Sequence, residues 1–197
     1  QGGAGNVACD SPVAPNDQYR ADISCPQDIE QAKALLAEAG FADGIEVNVH
    51  VATLEPTWPT LGIAYQAQAA EAGIRVNVVQ TPSDGYWNRI WMKKDVAATR
   101  WKERPADQAL HEIYLSTAKW NESFYKDLAF DELLASARRE LNFEKRKALY
   151  VQAQEHLFEN AGTLIPYTVS MNIGSSSRVQ NFDAAKEEAV RWHLVTV

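Results

Sequence analysis

Cysteine is scarce in this sequence: 197 residues carry two, Cys9 and Cys25, and neither belongs to a CxxC pair. The four histidines (His50, His111, His156 and His193) fall on separate segments without ligand spacing, so no metal site is expected. An excess of basic residues is missing too. Nineteen Lys and Arg stand against 26 Asp and Glu, a net charge of −7, and no basic run forms the footprint that nucleic acid requires. No run is long or apolar enough to span a bilayer. Phosphate-cradling GxGxxG or Walker loops after a strand are absent, as is a GxSxG elbow. Asp127 with Asp131, and Glu187 with Glu188, read as helix-terminal or surface charges. With no nucleophile–base pair in view, neither an enzyme nor a cofactor is expected.

What is present is ordinary globular material, 46% hydrophobic and 23% charged, enough for one good core or two small ones. Residues 1–26 are rich in Gly, Pro, Asn and Asp and read as loop. Asp28 then caps a predicted helix, DIEQAKALLAEAG, with Ile29, Ala32, Leu35 and Leu36 apolar and a stop at Gly40. IEVNVHVAT alternates, Ile45, Val47, Val49 and Val51 against Glu46, Asn48 and His50, which predicts a half-buried strand. The loop LEPTWP follows, and Pro59 suits the first turn of a helix ending at Gly73. IRVNVVQT is a second strand, SDGYWNRIWMKK a short aromatic helix, and DVAATRW a third strand. Parallel strands are therefore expected at about residues 45–52, 74–80 and 96–100, in a largely parallel α/β sheet flanked by helices. Two amphipathic helices follow, FDELLASARREL and FEKRKALYVQAQEHLFENAG. TLIPYTVSMNIGSSS reads as a strand interrupted by Pro166, and AVRWHLVTV as a final short strand.

The segment from Asp95 to Tyr125 carries the recognition chemistry. A buried strand breaks at Arg100-Trp101 into the charged loop Lys102-Glu103-Arg104-Pro105, and a second cluster, Trp120-Asn121-Glu122, lies downstream. In open α/β sheets ligands bind beyond the carboxyl ends of strands, where such loops meet. An indole supplies a flat stacking face and a guanidinium a planar fork for carboxylate or phosphate.

Two readings of the cysteines stand. Bonded, Cys9 and Cys25 close an irregular loop and imply an oxidising compartment; otherwise they are two unrelated thiols. The disulfide is the expectation, because the segment has little core of its own. The first residues, QGGAGNVA, contain neither the basic nor the apolar part of a signal peptide. The expectation is that a leader was removed or that the chain is a piece of something longer.

The order QAKALLAEAGFADGIEVNV, YQAQAAEAGIRVNVVQT, YWNRI, WNESFYKDLAFDELLASARREL and EKRKALYVQAQEHLFENAGTLIPYTV resembles the extracytoplasmic solute-binding proteins of peptide-type ABC importers. That family includes dipeptide-, oligopeptide- and nickel-binding members. Many weak motifs in the right order carry the likeness over nearly the whole chain. It implies a two-lobed, periplasmic-binding-protein-like fold, of which this chain holds most of the second lobe. Residues 1–27 would be a loop-rich inter-lobe segment, 28–182 the α/β solute-binding lobe, and 183–197 a tail returning toward the missing first lobe. The implied partners are that first lobe, the importer's membrane subunits and a peptide-like solute, in the periplasm. Apolar residues around Trp192 and Val195 would be left open.

In peptide-binding members of this family, a Trp after the third strand is followed three positions later by an Asp that holds the peptide's ammonium group. Here Trp101 is followed by Arg104, which reverses the charge and favours an anionic, opine-like or modified-peptide solute. The alternative is that Arg104 points away and pairs with Glu103 or Asp107. Asp107 would still serve an amine if the loop were shifted. Glu55 and Trp58 are secondary candidates, followed by Trp120 and Asn121. A small α/β enzyme and a protein-interaction domain are the competing functional classes.

Overall fold

Alternation in IEVNVHV produces a strand with one apolar face. Val49 and Val51 are buried, while Glu46 and Asn48 are exposed. The structure is a computed structural model, and it describes residues 5–170, 174–182 and 192–196. The chain forms two units, residues 8–166 and residues 1–7 with 167–197.

Within the larger unit, β2 (Ile45–Val51) is central, flanked by β3 (Ile74–Gln80) and β4 (Val96–Ala97), both parallel to it. Register sets Ile45 opposite Ile74 and Asn48 opposite Asn77, so the polar faces also match. Asn77 Nδ2 donates to Glu46 Oε1 at 2.6 Å and Asn48 Oδ1 at 3.2 Å. The crossovers are α2 (Trp58–Ala70, with Pro59 in its first turn) and the single turn α3 (Tyr86–Arg89). The expected parallel α/β sheet is present. β4 is shorter than expected: Ala98 N still donates to His50 O at 2.8 Å, and the chain then leaves for the loop.

Val49, Val51, Ala52, Trp58, Ala69, Val76 and Tyr86 form the sheet's core. Tyr86 is buried, and its hydroxyl donates to the carbonyls of His50 (3.1 Å) and Ala98 (2.8 Å). Burial, with the nearby Glu122 charge, pushes that hydroxyl up to about 12, although its bond to Ala98 opposes the shift.

A second core joins α4 (Ala106–Ile113), α5 (Leu128–Arg139) and α6 (Phe143–Asn160) through Leu110, Ile113, Phe130, Leu134, Tyr150 and Leu157. Asp127 caps α5, its side chain accepting from Ala129 N (2.7 Å) and Phe130 N (3.1 Å). α1 (Ile29–Glu38) is capped by Asp28 as predicted, yet none of its residues is buried and Leu35 is 58% exposed.

Residues 8–26 are loop, as expected, and Cys9 and Cys25 are bonded, with Cα atoms 5.4 Å apart. The loop is fastened to α6 by Gln154. Its Oε1 accepts from Ser11 Oγ and Ala21 N (both 3.1 Å), and its Nε2 donates to the carbonyls of Tyr19 (2.7 Å) and Tyr150 (2.9 Å). Arg20 donates to the carbonyls of Ala8, Ser11 and Val13.

In the smaller unit β1 (Gly5–Val7) pairs antiparallel with β5 (Tyr167–Val169). Residues 5–7 were expected to be loop, and pairing with a segment far along the chain overrides their weak local preference. β5 begins directly after Pro166. The predicted terminal strand is corrected: Trp192–Leu194 is a 3-10 turn, closed by Val195 N donating to Trp192 O at 3.1 Å, and among the described residues of that segment only Thr196 bridges, to Gln180. The rest of that segment, and most of the predicted 183–197 tail, lies outside the described residues. Trp192 is 69% exposed, against Phe182 at 5.9 Å, and Val195 is half-buried.

Candidate functional site

Strand order β3-β2-β4 means that the chain leaves β2 toward one edge and returns to pair on its other side. The loops after β2 and β4 are therefore neighbours, at the kind of crevice where α/β sheets hold ligands. Arg100 Nε, after β4, lies 3.4 Å from Glu55 Oε2, after β2.

Five of the six tryptophans make a continuous series of ring contacts here. Trp58, buried at the start of α2, meets Tyr86 (5.4 Å) and Trp87 (6.1 Å). Trp87 meets Trp91 edge-on at 5.8 Å, Trp91 meets Trp101 at 6.4 Å, and Trp101 meets Trp120 at 5.7 Å. Above this aromatic floor is a cavity of about 210 Å³ lined by Trp87, Arg100, Trp101, Lys102 and Arg104. Arg100, Lys102 and Arg104 alternate along the loop, and all three residues line that cavity.

Arg104 pairs with neither Glu103 nor Asp107. Its Nε donates to Glu112 Oε2 at 3.0 Å, its Nη1 to Lys102 O at 3.2 Å, and its guanidinium carbon lies 5.1 Å from the centre of a Trp101 ring. The guanidinium is thus held over the indole by a carboxylate on α4. Gln108 Nε2 donates to the other oxygen of Glu112, at 2.9 Å.

The other expected site residues are placed differently. Asp107 does not line the cavity. It accepts two bonds from Arg138 (2.8 Å each) and one from Tyr150 Oη (2.6 Å), with His111 Nδ1 3.1 Å away. Burial pushes its carboxyl up, but the bonds from Arg138 and Tyr150 and the neighbouring positive charge outweigh it and hold the carboxyl below its usual range. Asn121 is buried, and its amide is used within its own turn. It donates to the carbonyls of Leu115 and Tyr125 and accepts from Ser123 Oγ and Tyr125 N (both 3.1 Å). Trp120 continues the aromatic series, Trp58 is core beneath it, and Glu55 reaches the site through Arg100.

Sequence reasoning passed over Glu122 and Trp87 as site residues. Glu122 accepts from Trp91 Nε1 through Oε2 and from Trp101 Nε1 through Oε1, the latter at 2.8 Å. The cluster Trp120-Asn121-Glu122 was visible in the sequence but gave Glu122 no role, because its partners lie 31 and 21 positions away.

A cavity floored by tryptophan and lined by Arg100, Lys102 and Arg104 thus lies beyond the strand ends of a parallel sheet. Residues 1–121 match the family described as bacterial extracellular solute-binding proteins, family 5 (middle), and the chain belongs to that family. The Pseudomonas aeruginosa (strain UCBPP-PA14) di/tripeptide-binding protein 3 is 28% identical over 170 residues, 80% of this chain and 31% of that protein. The chain thus spans under a third of the length of the curated relatives it matches. Among solved structures, it resembles the ABC transporter-associated periplasmic binding protein DppA from Helicobacter pylori in complex with the peptide STSA. That likeness has 25% identity and a TM-score of 0.71, covering 92% of this chain and 37% of the other. It also resembles the binding protein MoaA from A. tumefaciens R10 in complex with mannopinic acid. There the identity is 27% and the TM-score 0.67, covering 80% and 33% of the two chains.

Proposed function

We propose that the protein is the solute-binding component of an ABC importer, that this chain is its second lobe, and that its solute is peptide-like or opine-like and anionic. Trp101 and Arg104 contact the solute directly, with Glu55, Trp58, Asp107, Trp120 and Asn121 as the framework behind them. The observation that carries the reading is one cavity that gathers Arg100, Lys102, Arg104 and two indoles. Cations at that position repel a peptide's ammonium group and accept a carboxylate, phosphate or sulfate. Relatives bound to a peptide and to mannopinic acid support the range of candidates.

The remaining parts follow from the two-lobed plan. Residues 1–27 connect the lobes, residues 28–182 form the lobe, and residues 183–197 return toward the first lobe. The partners are that first lobe and the membrane subunits. The periplasm is the working compartment, supported by the Cys9–Cys25 disulfide and by relatives that are periplasmic binding proteins.

The test is ligand-stabilised melting of the full-length protein against a panel containing the peptide Ser-Thr-Ser-Ala, its analogues blocked at the amino terminus, and mannopinic acid. Anionic members without a free ammonium group are expected to raise the melting temperature most. Stabilisation only by free-amino peptides, lost on blocking the amine, would overturn the charge assignment.

A further inference from the structure

We infer that Glu122 is a positioning residue of this cavity: it clasps Trp91 and Trp101 together and so sets the indole face over which Arg104 is held. The inference rests on the reading of the cavity as the solute site and adds the device that shapes it.

An indole N–H is a donor with no acceptor, so a half-buried tryptophan must find an oxygen for its edge. Two such edges meet at one side chain here, Trp91 Nε1 on Oε2 and Trp101 Nε1 on Oε1 of Glu122. An ionised carboxylate suits this position because it has two accepting oxygens and no hydrogen to clash with either indole. Glutamine would keep one oxygen and turn an NH2 group toward the second indole. Alanine would leave both edges without an acceptor.

The carboxylate is itself placed by the backbone. Glu122 N donates to Trp120 O at 2.8 Å, and the turn around it is held by the buried Asn121 amide. The line of support runs from Asn121 through the turn to Glu122, then to the two indoles, and ends at Arg104 over Trp101. Bonds to a charged acceptor are stronger and more directional than neutral ones, so the Trp101 plane is fixed before any solute arrives. Glu122 does not line the cavity, so its effect on a solute acts through Trp101.

The experiment uses this chain labelled with 15N and follows its six indole N–H resonances, with iodide as a monovalent anion probe. Glu122→Ala is expected to move the Trp91 and Trp101 resonances upfield together, while that of Trp192 stays in place. Glu122→Gln is expected to restore one of the two. In the parent, iodide is expected to shift Trp87 and Trp101 more than the exposed Trp192. In the Ala variant the iodide response of Trp101 is expected to fall to that of Trp192. Thermal unfolding of each variant separates loss of the clasp from loss of the fold, and the Gln variant keeps the comparison open if Ala destabilises the chain. Unmoved Trp91 and Trp101 resonances in both variants, or an iodide response at Trp101 that survives them unchanged, would overturn the proposal. Failure of the importer reading shows elsewhere, in the melting panel, and leaves the indole result readable.

Discussion

At the scale of single residues, the buried polar groups hold the larger unit together. Gln154 is 1% exposed, and three of its four bonds tie the disulfide loop to α6, the fourth going to Tyr150 O within the helix. Gln154→Leu would keep the volume but remove the partner of Ala21 N and the Tyr19 carbonyl and the acceptor of the Ser11 hydroxyl. The expected loss is about 3 kcal/mol, the scale of a few buried groups left unsatisfied, read as a lower urea midpoint at unchanged slope. Asp107 makes a pH prediction. Its folded pKa lies below the unfolded value, so its stabilising contribution is present above the unfolded pKa and is lost as pH falls through the folded one. Parent and Asp107→Asn should therefore differ in melting temperature at neutral pH, and the gap should close below about pH 4. A gap that persists unchanged to pH 2 would mean that Asp107 acts through packing. Arg104 shows how far the sequence carried at this scale. Its place three positions after Trp101 was legible in the loop, and the charge reversal there is what the family resemblance implies. Its partner Glu112 was not legible, because the pairing depends on how α4 docks against the loop.

At the scale of elements, local pattern was enough wherever one face had to be buried. The alternation in 45–51 and 74–80 and the cap at Asp28 gave strands and a helix close to those observed. Pattern failed where long-range pairing decides. Gly5–Val7 becomes a strand only beside Tyr167–Val169. The apolar stripe on α1 called for a covering surface, and the described residues leave its Leu35 exposed. The tryptophan series was equally hidden, since its rings come from four separate stretches. Gly62 marks where α2 rides closest to the sheet. A Cβ there would sit 3.0 Å from Val78 Cγ1 and 3.3 Å from Val51 Cγ1. Gly62→Ala is expected to destabilise by about 1–2 kcal/mol through overpacking, despite the better helix propensity of alanine, and denaturant unfolding checks it. The disulfide closes a loop with a separation of 16 residues. Denatured, unreduced protein should titrate no thiols, and reduction should cost about 3 kcal/mol from the freed loop entropy.

At the scale of the whole molecule, the chain spans under a third of the length of its curated relatives. In the two-lobed plan proposed above, the cavity of about 210 Å³ supplies one side of a binding site, and a second lobe closing over it would exclude water. This chain alone should therefore bind its solute weakly or not at all in calorimetry, and full-strength binding would refute the lobe assignment. In the function proposed above, an anionic solute meets Arg104 over Trp101. The direct measurement is a calorimetric titration of full-length parent, Arg104→Ala and Arg104→Asp with the solute that the melting panel selects. The Ala variant is expected to lose about 1.5–3 kcal/mol, roughly ten- to a hundredfold in affinity, and the Asp variant more, because it adds repulsion to the lost contact. Parent-like affinity in both variants, or tighter binding by the Asp variant, would contradict the account.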